Sequence, residues 1–561
     1  MIKRILFREE SHVVSAAMVV AFFGLVSRVL GLLRDRFLAS QFGASDELDI
    51  YFAAFKIPDF IYTVLILGAI SAVLIPIFLE TLEKDKEGAF RFLNVVLNDF
   101  IIVASACALF AIVFTPWLLK IITPGFDGEK LTATIHLTRI MLLSPLLLGI
   151  SNIISGVLQA FRRFLIFSLS PVFYNLGIII GIFFFAPRWG ITGVAGGVVL
   201  GALLHLLIQV PALRHLGFSY RPEISFHDER LRKAVFLMIP RSLAIVSSQL
   251  NSIIIISIAS LLQAGSISVM NFSNNLQSVA LGLLGIPFAI AAFPALSSLF
   301  VAKKREEFSA YFTNVSRKII YLAAPVAFMF LLLRAQIVRL VLGSGKFSWE
   351  DTQLTAAALG LFSVSIIFQS LSPLFLRGFY AVQNTKTPFI ISIIADCVSI
   401  VIAFSCISLF RMEWFAGLWR SIMKLEGIPD ISVLALPIAF SLASVLQVVL
   451  LLKYFRTMVS KKERTETYLY LYKILFISVV AYFCAFWALR IPVVFLELTT
   501  FFAVALQAAF ACVVGGGIYF MLSFTLGVPE AQEMIAAFGR LNKKLFKRFR
   551  VTEPIPREEQ Q

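Results

Sequence analysis

Charged residues are scarce in this chain. Asp, Glu, Lys and Arg make up 15% of its 561 residues, compared with about 25% in an ordinary soluble domain. Hydrophobic residues make up 59%, which at ~20 residues per spanning helix sets a ceiling of about 16 transmembrane helices. This composition excludes a soluble enzyme and predicts a polytopic membrane protein.

Cysteine is also rare, and no cysteine has a partner at metal-binding or disulfide spacing. The five residues lie singly in apolar stretches, where small apolar packing residues are expected; they are Cys107, Cys397, Cys406, Cys484 and Cys512. The sequence has no Gly-x-x-x-x-Gly-Lys-Ser/Thr phosphate loop, so it gives no sign of ATP hydrolysis. We predict no bound cofactor. A monovalent cation gradient, the membrane potential or downstream consumption of the product would then supply the energy.

Fourteen apolar stretches are long enough to span a bilayer, and they predict an all-α fold. They lie near residues 15–42, 50–80, 92–119, 134–160, 165–186, 190–212, 233–260, 266–300, 309–333, 353–380, 387–410, 431–455, 468–489 and 498–524.

Basic residues predict the orientation of these helices. The net charge is +16, and 32 of the 49 Lys and Arg residues fall on the side of the N-terminus, against 10 on the other side. The excess of positive charge marks the cytoplasmic side, and an even number of helices places both termini there. The tail segment Leu541 to Arg550 spaces four apolar residues among five basic ones. It predicts an amphipathic helix on anionic membrane lipid rather than a nucleic-acid site.

An internal repeat is visible at one spacing. The segment that begins at Pro76 resembles the one at Pro294, and the segment at Gly156 resembles the one at Gly378, with offsets of 218 and 222 residues. Two parallel six-helix lobes followed by helices 13 and 14 are therefore predicted, an architecture typical of transporters. The predicted boundaries are 1–228 for the N-terminal lobe, 229–460 for the C-terminal lobe, 461–526 for helices 13 and 14, and 527–561 for the basic tail.

The first apolar stretch carries an unusual number of charges. Arg28, Arg34, Asp35 and Arg36 each cost at least a few kcal/mol at membrane depth unless they are paired or face water. At 100° per residue, an ideal helix cannot aim all three arginines in one direction. For Arg28 a water-filled cavity is favoured, whereas the other three could pair and snorkel to the outer interface. A guanidinium cluster in such a cavity suits a phosphate or pyrophosphate and repels cations.

This segment and the start of the next helix resemble the MurJ (MviN) lipid II flippases of the multidrug/oligosaccharidyl-lipid/polysaccharide exporter superfamily. The residues that carry the resemblance are Ser27, Arg28, Gly31, Arg34, Asp35, Phe42, Gly43, Asp49, Tyr51, Phe52, Ala54, Phe55, Pro58, Gly68, Ala69 and Pro76. The resemblance implies export of an undecaprenyl-pyrophosphate-linked peptidoglycan precursor across the bacterial cytoplasmic membrane by alternating access, with the protein acting as a monomer. It also implies that helices 13 and 14 help to form a groove for the lipid tail.

The resemblance implies that Arg28, Arg34, Asp35 and Asp49 contact the substrate. This chain is a divergent member, because several positions that are usually charged in the family are neutral; they are Tyr62, Thr63, Leu67, Asn274 and Asn275. Lys56 and Arg241 are candidates to replace the lost positive charges, as are Arg139 and Arg377.

The neutral positions leave other functions open. A related flippase could move another polyprenyl-linked glycan. A cation-coupled drug exporter is disfavoured by the arginines of the first helix. A polytopic polyprenyl-dependent glycosyltransferase would need catalytic acids in an outer loop, where the chain offers only Asp46, Glu47 and Asp49.

Asp396 lies within an apolar stretch beside Ser392 and Ser399. It could contribute to a monovalent cation site, or it could be a hydrogen-bonded structural residue. Gln249 and Asn251, with Asn274 and Asn275, form a further polar patch, for which hydrogen bonding between helices is the expected role.

Overall fold

The computed structural model describes residues 13–67, 70–225, 249–495 and 500–536. These residues are helical and contain no β-strand, which confirms the all-α prediction for that part of the chain. The chain forms two compact units. Unit 1 comprises residues 1–279, 337–362 and 389–443, and unit 2 comprises residues 280–336, 363–388 and 444–561. These units differ from the predicted lobes, whose boundaries remain a prediction from the sequence repeat.

The first part of unit 1 contains ten helices and two π-helical turns. The helices are α1 (Val13–Phe42), α2 (Asp46–Ala54), α3 (Lys56–Tyr62), α4 (Ile70–Lys84), α5 (Lys86–Ile122), α6 (Gly128–Met141), α7 (Leu143–Ala160), α8 (Phe164–Ile180), α9 (Ala186–Leu207) and α10 (Val210–His215), and the π-turns are Thr63–Leu67 and Gly181–Phe185.

The rest of the described chain contains twelve further helices that are labelled here, one 3₁₀ turn and a last helical stretch at residues 529–536. The helices are α11 (Gln249–Ser260), α12 (Ser266–Leu284), α13 (Ile286–Val301), α14 (Arg305–Val341), α15 (Trp349–Ser363), α16 (Ile366–Ala381), α17 (Lys386–Phe410), α18 (Glu413–Met423), α19 (Ala435–Phe455), α20 (Lys461–Ala488), α21 (Ile491–Phe495) and α22 (Phe501–Thr525), and the 3₁₀ turn is Ser432–Leu434.

Among the described residues, nine helical stretches are long and apolar enough to cross a membrane. The number rises to ten if α15 and α16, which are bent by 48°, form one broken span. The stretch Phe164–His215 counts once in this total, although it contains two of the predicted spans. A multi-pass membrane protein is therefore confirmed, and the total of fourteen helices stays a prediction.

The second predicted span, residues 50–80, is not one continuous helix. It consists of α2, α3, a π-turn and α4. The first break falls at Phe55, because Pro58 has no N–H to donate to the carbonyl of Ala54 and a continuous helix would lose that hydrogen bond. This break turns α3 into a short separate helix that carries Lys56 and Asp59.

Helices α8 and α9 form an antiparallel pair held at very close range. The chain reverses direction near Gly190, whose φ of 55° is a left-handed conformation that glycine adopts without strain. A Cβ atom on Gly177 would lie 2.2 Å from Cα of Gly201, and one on Gly181 would lie 2.5 Å from Cα of Gly197. Small residues of this kind let helix backbones approach each other inside a membrane.

The Gly156 and Gly378 segments of the predicted repeat end their helices in the same way. Two residues after the last residue of α7, Arg162 has a φ of 55°, and two residues after the last residue of α16, Gln383 has a φ of 59°. In both places the N–H of the left-handed residue donates to the carbonyl three residues earlier, and the N–H of the next residue donates to the carbonyl five residues earlier. This is the pattern that closes a helix at a left-handed residue. The repeated sequence therefore specifies a repeated local structure.

Replacing Gly197 with alanine should destabilise unit 1. The new methyl group would lie 2.6 Å from Cα of Gly181, and overpacking of this kind costs about 1–3 kcal/mol. Gly196→Ala is the matched control on the same helix, because its methyl group would meet only the Phe185 ring at 3.7 Å. The thermal unfolding temperature of both variants in detergent tests this packing. Equal unfolding temperatures would contradict it.

Candidate functional site

The centre of the candidate site is a buried ion pair between neighbours on α1. Nε and Nη2 of Arg34 donate to Oδ1 of Asp35 at 3.0 and 2.8 Å, and Asp35 is 4% exposed. Asn275 on α12 donates from Nδ2 to Oδ2 of Asp35 at 3.1 Å. The structure therefore brings Arg34 and Asp35 together, and it buries the carboxylate instead of leaving it at a water interface.

Asn175 on α8 holds the Arg34 side chain from the other direction. Its Oδ1 accepts from Nη1 of Arg34 at 3.2 Å. Its Nδ2 donates to the carbonyl oxygen of Pro171 at 3.1 Å and lies 3.3 Å from both the carbonyl oxygen and Oγ of Ser27. Arg34 is thus oriented by three helices, α1, α8 and, through Asp35, α12.

The other two arginines of α1 have different partners, as the helical spacing predicts. Arg36 donates from Nη1 to the carbonyl oxygen of Leu340 at 2.6 Å, near the C-terminal end of α14, where a positive charge is favourable. Arg28 is exposed, and the hydrogen bond found for it is a long one of 3.4 Å to the carbonyl oxygen of Val279. Its guanidinium group is the least constrained of the three.

Asp49 on α2 binds the start of another helix. Oδ2 accepts from the backbone N–H of Gly265 at 2.8 Å, and Oδ1 accepts from the backbone N–H and the hydroxyl of Ser268 at 2.8 and 2.7 Å. A carboxylate at a helix N-terminus satisfies free N–H groups and complements the helix dipole. Asp49 therefore caps α12, and a direct contact with substrate remains a prediction.

Lys56 lies at the first position of α3, where its Nζ donates to Oγ of Ser252 on α11 at 3.2 Å. One turn further along the same helix is Asp59. Both Lys56 and Arg34 act electrostatically on the Asp59 carboxylate. Arg241, the other candidate for a replacement charge, lies outside the described residues.

A polar cavity of about 320 Å³ opens beside Asp59 within unit 1. Its walls come from α3, α7, α8 and α9, and its polar lining includes Tyr62, Asn152, Tyr174 and His205. Asn152 donates from Nδ2 to the hydroxyl of Tyr62 at 3.2 Å. The cavity therefore places a carboxylate, an amide, an imidazole and two phenols around one space.

The Asp396 side chain on α17 meets the polar patch of α11. Asn251 donates from Nδ2 to Oδ1 of Asp396, which confirms that this patch makes hydrogen bonds between helices. Oδ1 of Asn251 is buried and has no hydrogen-bond partner among the residues that the structure describes. In the part of the chain that the structure describes, no group of three or more His, Cys, Asp and Glu residues could hold a metal ion.

Unit 2 contains a cavity of about 320 Å³ with largely apolar walls. It lies among α14, α16, α19 and α20, and the rings of Phe312 and Phe375 pack against Phe455 with centroids 4.6 and 5.8 Å apart. Arg456 and Arg464 are its basic lining residues. Of the last two predicted helices, α20 contributes to this cavity and α22 does not.

Comparison with known proteins decides the family. The family model described as lipid II flippase MurJ matches residues 38–508 of this chain. The chain belongs to that family. Its members include a probable lipid II flippase MurJ of Borreliella burgdorferi, 28% identical over 411 residues that cover 72% of this chain and 80% of that protein. The lipid II flippase MurJ of Burkholderia cenocepacia is 28% identical over 389 residues, 67% of this chain and 75% of that protein.

Solved structures show the same fold. A lipid II flippase MurJ in an inward closed conformation matches with a TM-score of 0.70 and 22% identity, and the match covers 91% of this chain and 99% of that one. An inward-facing multidrug resistance MATE family transporter of the MOP superfamily matches with a TM-score of 0.62 and 14% identity, over 79% of this chain and 97% of that one. The predicted resemblance is confirmed. The MurJ family consists of transporters, so this chain is not an enzyme.

Three of the five neutral positions in this MurJ-family chain take part in polar contacts. Asn275 supplies the amide that holds Asp35, and Tyr62 lines the polar cavity. Thr63 accepts from Nε2 of Gln249 at 2.6 Å. Hydrogen-bonding side chains at these three positions provide polar contacts without adding charge.

Sequence reasoning missed Asn175, Asn152, Tyr174 and His205. Nothing local distinguishes them, because single polar residues in apolar helices usually bond to a neighbouring helix. Asp59 could have been noticed, because it is a carboxylate within the second apolar stretch and intramembrane acids are rare and often functional.

Removing Arg34 should cost more stability than removing the whole pair. Arg34→Ala leaves the Asp35 carboxylate buried without its guanidinium, which typically costs about 3–5 kcal/mol. The double variant Arg34→Ala/Asp35→Asn removes the stranded charge and keeps an oxygen for Asn275, so it should unfold at a higher temperature than the single variant.

The control is Lys84→Ala, which breaks an exposed pair with Glu80 at 3.0 Å that is worth at most about 1 kcal/mol. Thermal unfolding of the four proteins in detergent, including the unmodified chain, measures the difference. A double variant no more stable than Arg34→Ala would contradict the buried pair.

Proposed function

We propose that this chain translocates lipid II, an undecaprenyl-pyrophosphate-linked peptidoglycan precursor, across the bacterial cytoplasmic membrane by alternating access. The observation that carries this proposal is the family match over residues 38–508. Relatives named as lipid II flippases align over about two thirds or more of this chain. The charged site of unit 1 supplies the chemistry that an anionic head group requires.

In this proposal Arg28 is the first ligand of the pyrophosphate. Its guanidinium is exposed and has one long hydrogen bond, so it can turn toward phosphate oxygens at little cost. Guanidinium groups bind phosphate through paired, charge-assisted hydrogen bonds. Lys56, which is bonded to a neutral hydroxyl, adds a second positive charge without an ion pair of its own.

Arg34 would join this site by exchanging partners. Asp35 and Asn175 occupy its three hydrogen-bonding nitrogens, so a pyrophosphate must compete with Asp35 for the guanidinium. Asn275 holds the second oxygen of Asp35 and would keep the carboxylate solvated during such an exchange. The predicted substrate role of Asp35 is then indirect, because the carboxylate keeps Arg34 neutralised when no anion is bound.

We infer that the apolar cavity of unit 2 receives part of the polyprenyl tail. Its ring-lined walls offer dispersion contacts to a hydrocarbon chain, and α20 supplies residues from Arg464 to Leu475 on one side. The two predicted tail-binding spans, 468–489 and 498–524, correspond to α20 and α22. In this assignment α20 contacts the tail together with α14, α16 and α19, and α22 does not.

The remaining features of the proposal rest on the sequence. We propose fourteen spanning helices, arranged as two parallel six-helix lobes followed by the two predicted spans at 468–489 and 498–524. Both termini would lie in the cytoplasm, because basic residues are concentrated on that side. The tail segment Leu541 to Arg550, which lies outside the described residues, would bind anionic lipid. The protein would function as a monomer and needs no nucleic acid.

We also propose that a monovalent cation couples to transport at Asp396. The carboxylate lies against Asn251, whose buried Oδ1 has no hydrogen-bond partner within the described part of the chain, and carboxylate and carbonyl oxygens suit hard cations. The alternative sources of energy are the membrane potential and downstream consumption of the product.

Expression of this chain in a flippase-depleted bacterium should restore growth and make lipid II accessible from outside the cell. Arg28→Ala should lower the rate of lipid II exposure about tenfold or more, because the least constrained phosphate ligand is lost. Arg188→Ala is the matched control, since Arg188 is exposed and lies outside the charged site. Failure of the unmodified chain to restore growth, at normal membrane levels, would point to another polyprenyl-linked glycan.

Transport in proteoliposomes should be faster with an inward-directed Na⁺ gradient than with K⁺ or choline at the same membrane potential. Asp396→Asn should abolish that difference, because the neutral amide lacks the charge that holds a cation. The measurement is the initial rate of lipid II translocation in each salt. Equal rates for the unmodified chain in all salts would refute cation coupling and leave the membrane potential or downstream consumption as the energy source.

A further inference from the structure

The polar cavity of unit 1 has lining groups that the ion pair on α1 does not use. No hydrogen bond joins the carboxylate of Asp59 or the hydroxyl of Tyr174 to another side chain among the described residues, and both face the cavity. Asn152 donates its two amide hydrogens to Tyr62 and to the carbonyl of Leu148 at 2.7 Å, which leaves Oδ1 as an acceptor. The open groups are therefore mainly hydrogen-bond acceptors, so the cavity suits a ligand rich in hydroxyl or N–H donors.

Aromatic rings surround these polar groups. Phe55, Tyr62, Phe167 and Tyr174 all line the same cavity. Their faces offer flat apolar surface, and the tyrosines add a polar edge. A few convergent polar groups among aromatic walls are typical of a small-molecule site. A pyranose ring combines the same two properties, because its C–H faces are apolar and its hydroxyls lie around the edge.

The charges around the cavity favour a neutral ligand over a cation. The Asp59 carboxyl group lies within electrostatic reach of two groups of positive charge, Lys56 and Arg34. A bare cation beside Asp59 would be repelled by these two groups, although neither of them lines the cavity. The volume of about 320 Å³ also far exceeds the roughly 10–15 Å³ that holds one water molecule, so the space is too large for a single small ion.

The back wall of the cavity is rigid. Oγ of Ser151 lies 2.7 Å from Nδ1 of His205 and accepts from Nε2 of Gln209 at 2.6 Å. Ser155 donates to Oε1 of Gln209 at 2.9 Å. This buried chain of hydrogen bonds between α7 and the end of α9 fixes the imidazole that faces the cavity. A fixed polar wall favours recognition of a particular ligand geometry.

We propose that this cavity binds a neutral pyranose ring of the lipid-linked glycan, with Asp59, Asn152 and Tyr174 bonding its hydroxyl or amide groups and the aromatic rings packing on its face. This inference rests on the proposed function and names the part of the substrate that unit 1 recognises. Arg28 and Arg34 bind the pyrophosphate, and the Asp59 cavity discriminates between cargo with sugar and cargo without sugar.

The test compares undecaprenyl pyrophosphate with lipid II, which adds sugars and a stem peptide, and a third ligand that carries the sugars without the peptide shows whether the sugars account for the difference. Purified chain in detergent is titrated with undecaprenyl pyrophosphate and with lipid II, and the two dissociation constants are measured. The unmodified chain should bind lipid II about tenfold more tightly, which corresponds to about 1.4 kcal/mol. Tyr174→Phe should remove most of that preference and leave the affinity for undecaprenyl pyrophosphate unchanged. Asp59→Asn should also remove most of the preference, which is the ratio of the two dissociation constants, although the loss of a carboxylate close to Lys56 and Arg34 can change the affinity for the pyrophosphate of both ligands.

Asp127→Asn is the matched control, because Asp127 is an exposed carboxylate at the start of α6, outside the cavity. Should Asp59→Asn fold poorly, Tyr174→Phe carries the test, since it deletes only a hydroxyl. Equal affinity of the unmodified chain for both ligands would overturn the glycan site and leave lipid II translocation standing. An equal loss of affinity for both ligands in the cavity variants would also overturn the glycan site. Lack of binding to either ligand would instead refute the proposed function.

Discussion

A charged side chain at membrane depth requires protein groups that replace its water, and the Arg34–Asp35 pair meets this requirement with partners on three helices. Asn175 and Asn275 supply the missing hydrogen bonds. The geometry of α1, α8 and α12 in unit 1 is therefore tied to one buried ion pair. This pair has no net charge when no anion is bound, yet its guanidinium group can bind an anion.

Unit 1 is closely packed between α8 and α9, and it also contains the polar cavity. Glycines bring the backbones of α8 and α9 almost into contact, while Phe167, Pro171 and Tyr174, nearer the N-terminus of α8, line the polar cavity. Consecutive residues on α8 serve the two features, because Asn175 orients Arg34 and Tyr174 lines the cavity. A change in the position of α8 would therefore alter both the guanidinium and the cavity wall.

The two units offer cavities of similar volume and opposite chemistry. The cavity of unit 1 presents a carboxylate, an amide, an imidazole and phenols, whereas that of unit 2 is walled by aliphatic and aromatic side chains. An amphiphile with a glycan head and a polyprenyl tail needs both environments. The MurJ family assignment and the chemistry of the two cavities thus point to the same class of substrate.

Composition and periodicity alone determined the helical class, the membrane environment and the crowding of charge on α1, because these properties depend on neighbours in the sequence. Folding decided which residues meet: Asp49 caps α12 more than 200 residues away, Asn275 holds Asp35, and Asp59 faces a cavity built from four helices. A helical period shows which residues share a face but not which helix lies opposite. The partners of the buried charges were therefore beyond the sequence, since hydrogen bonds across distant helices form only when tertiary packing brings those helices together.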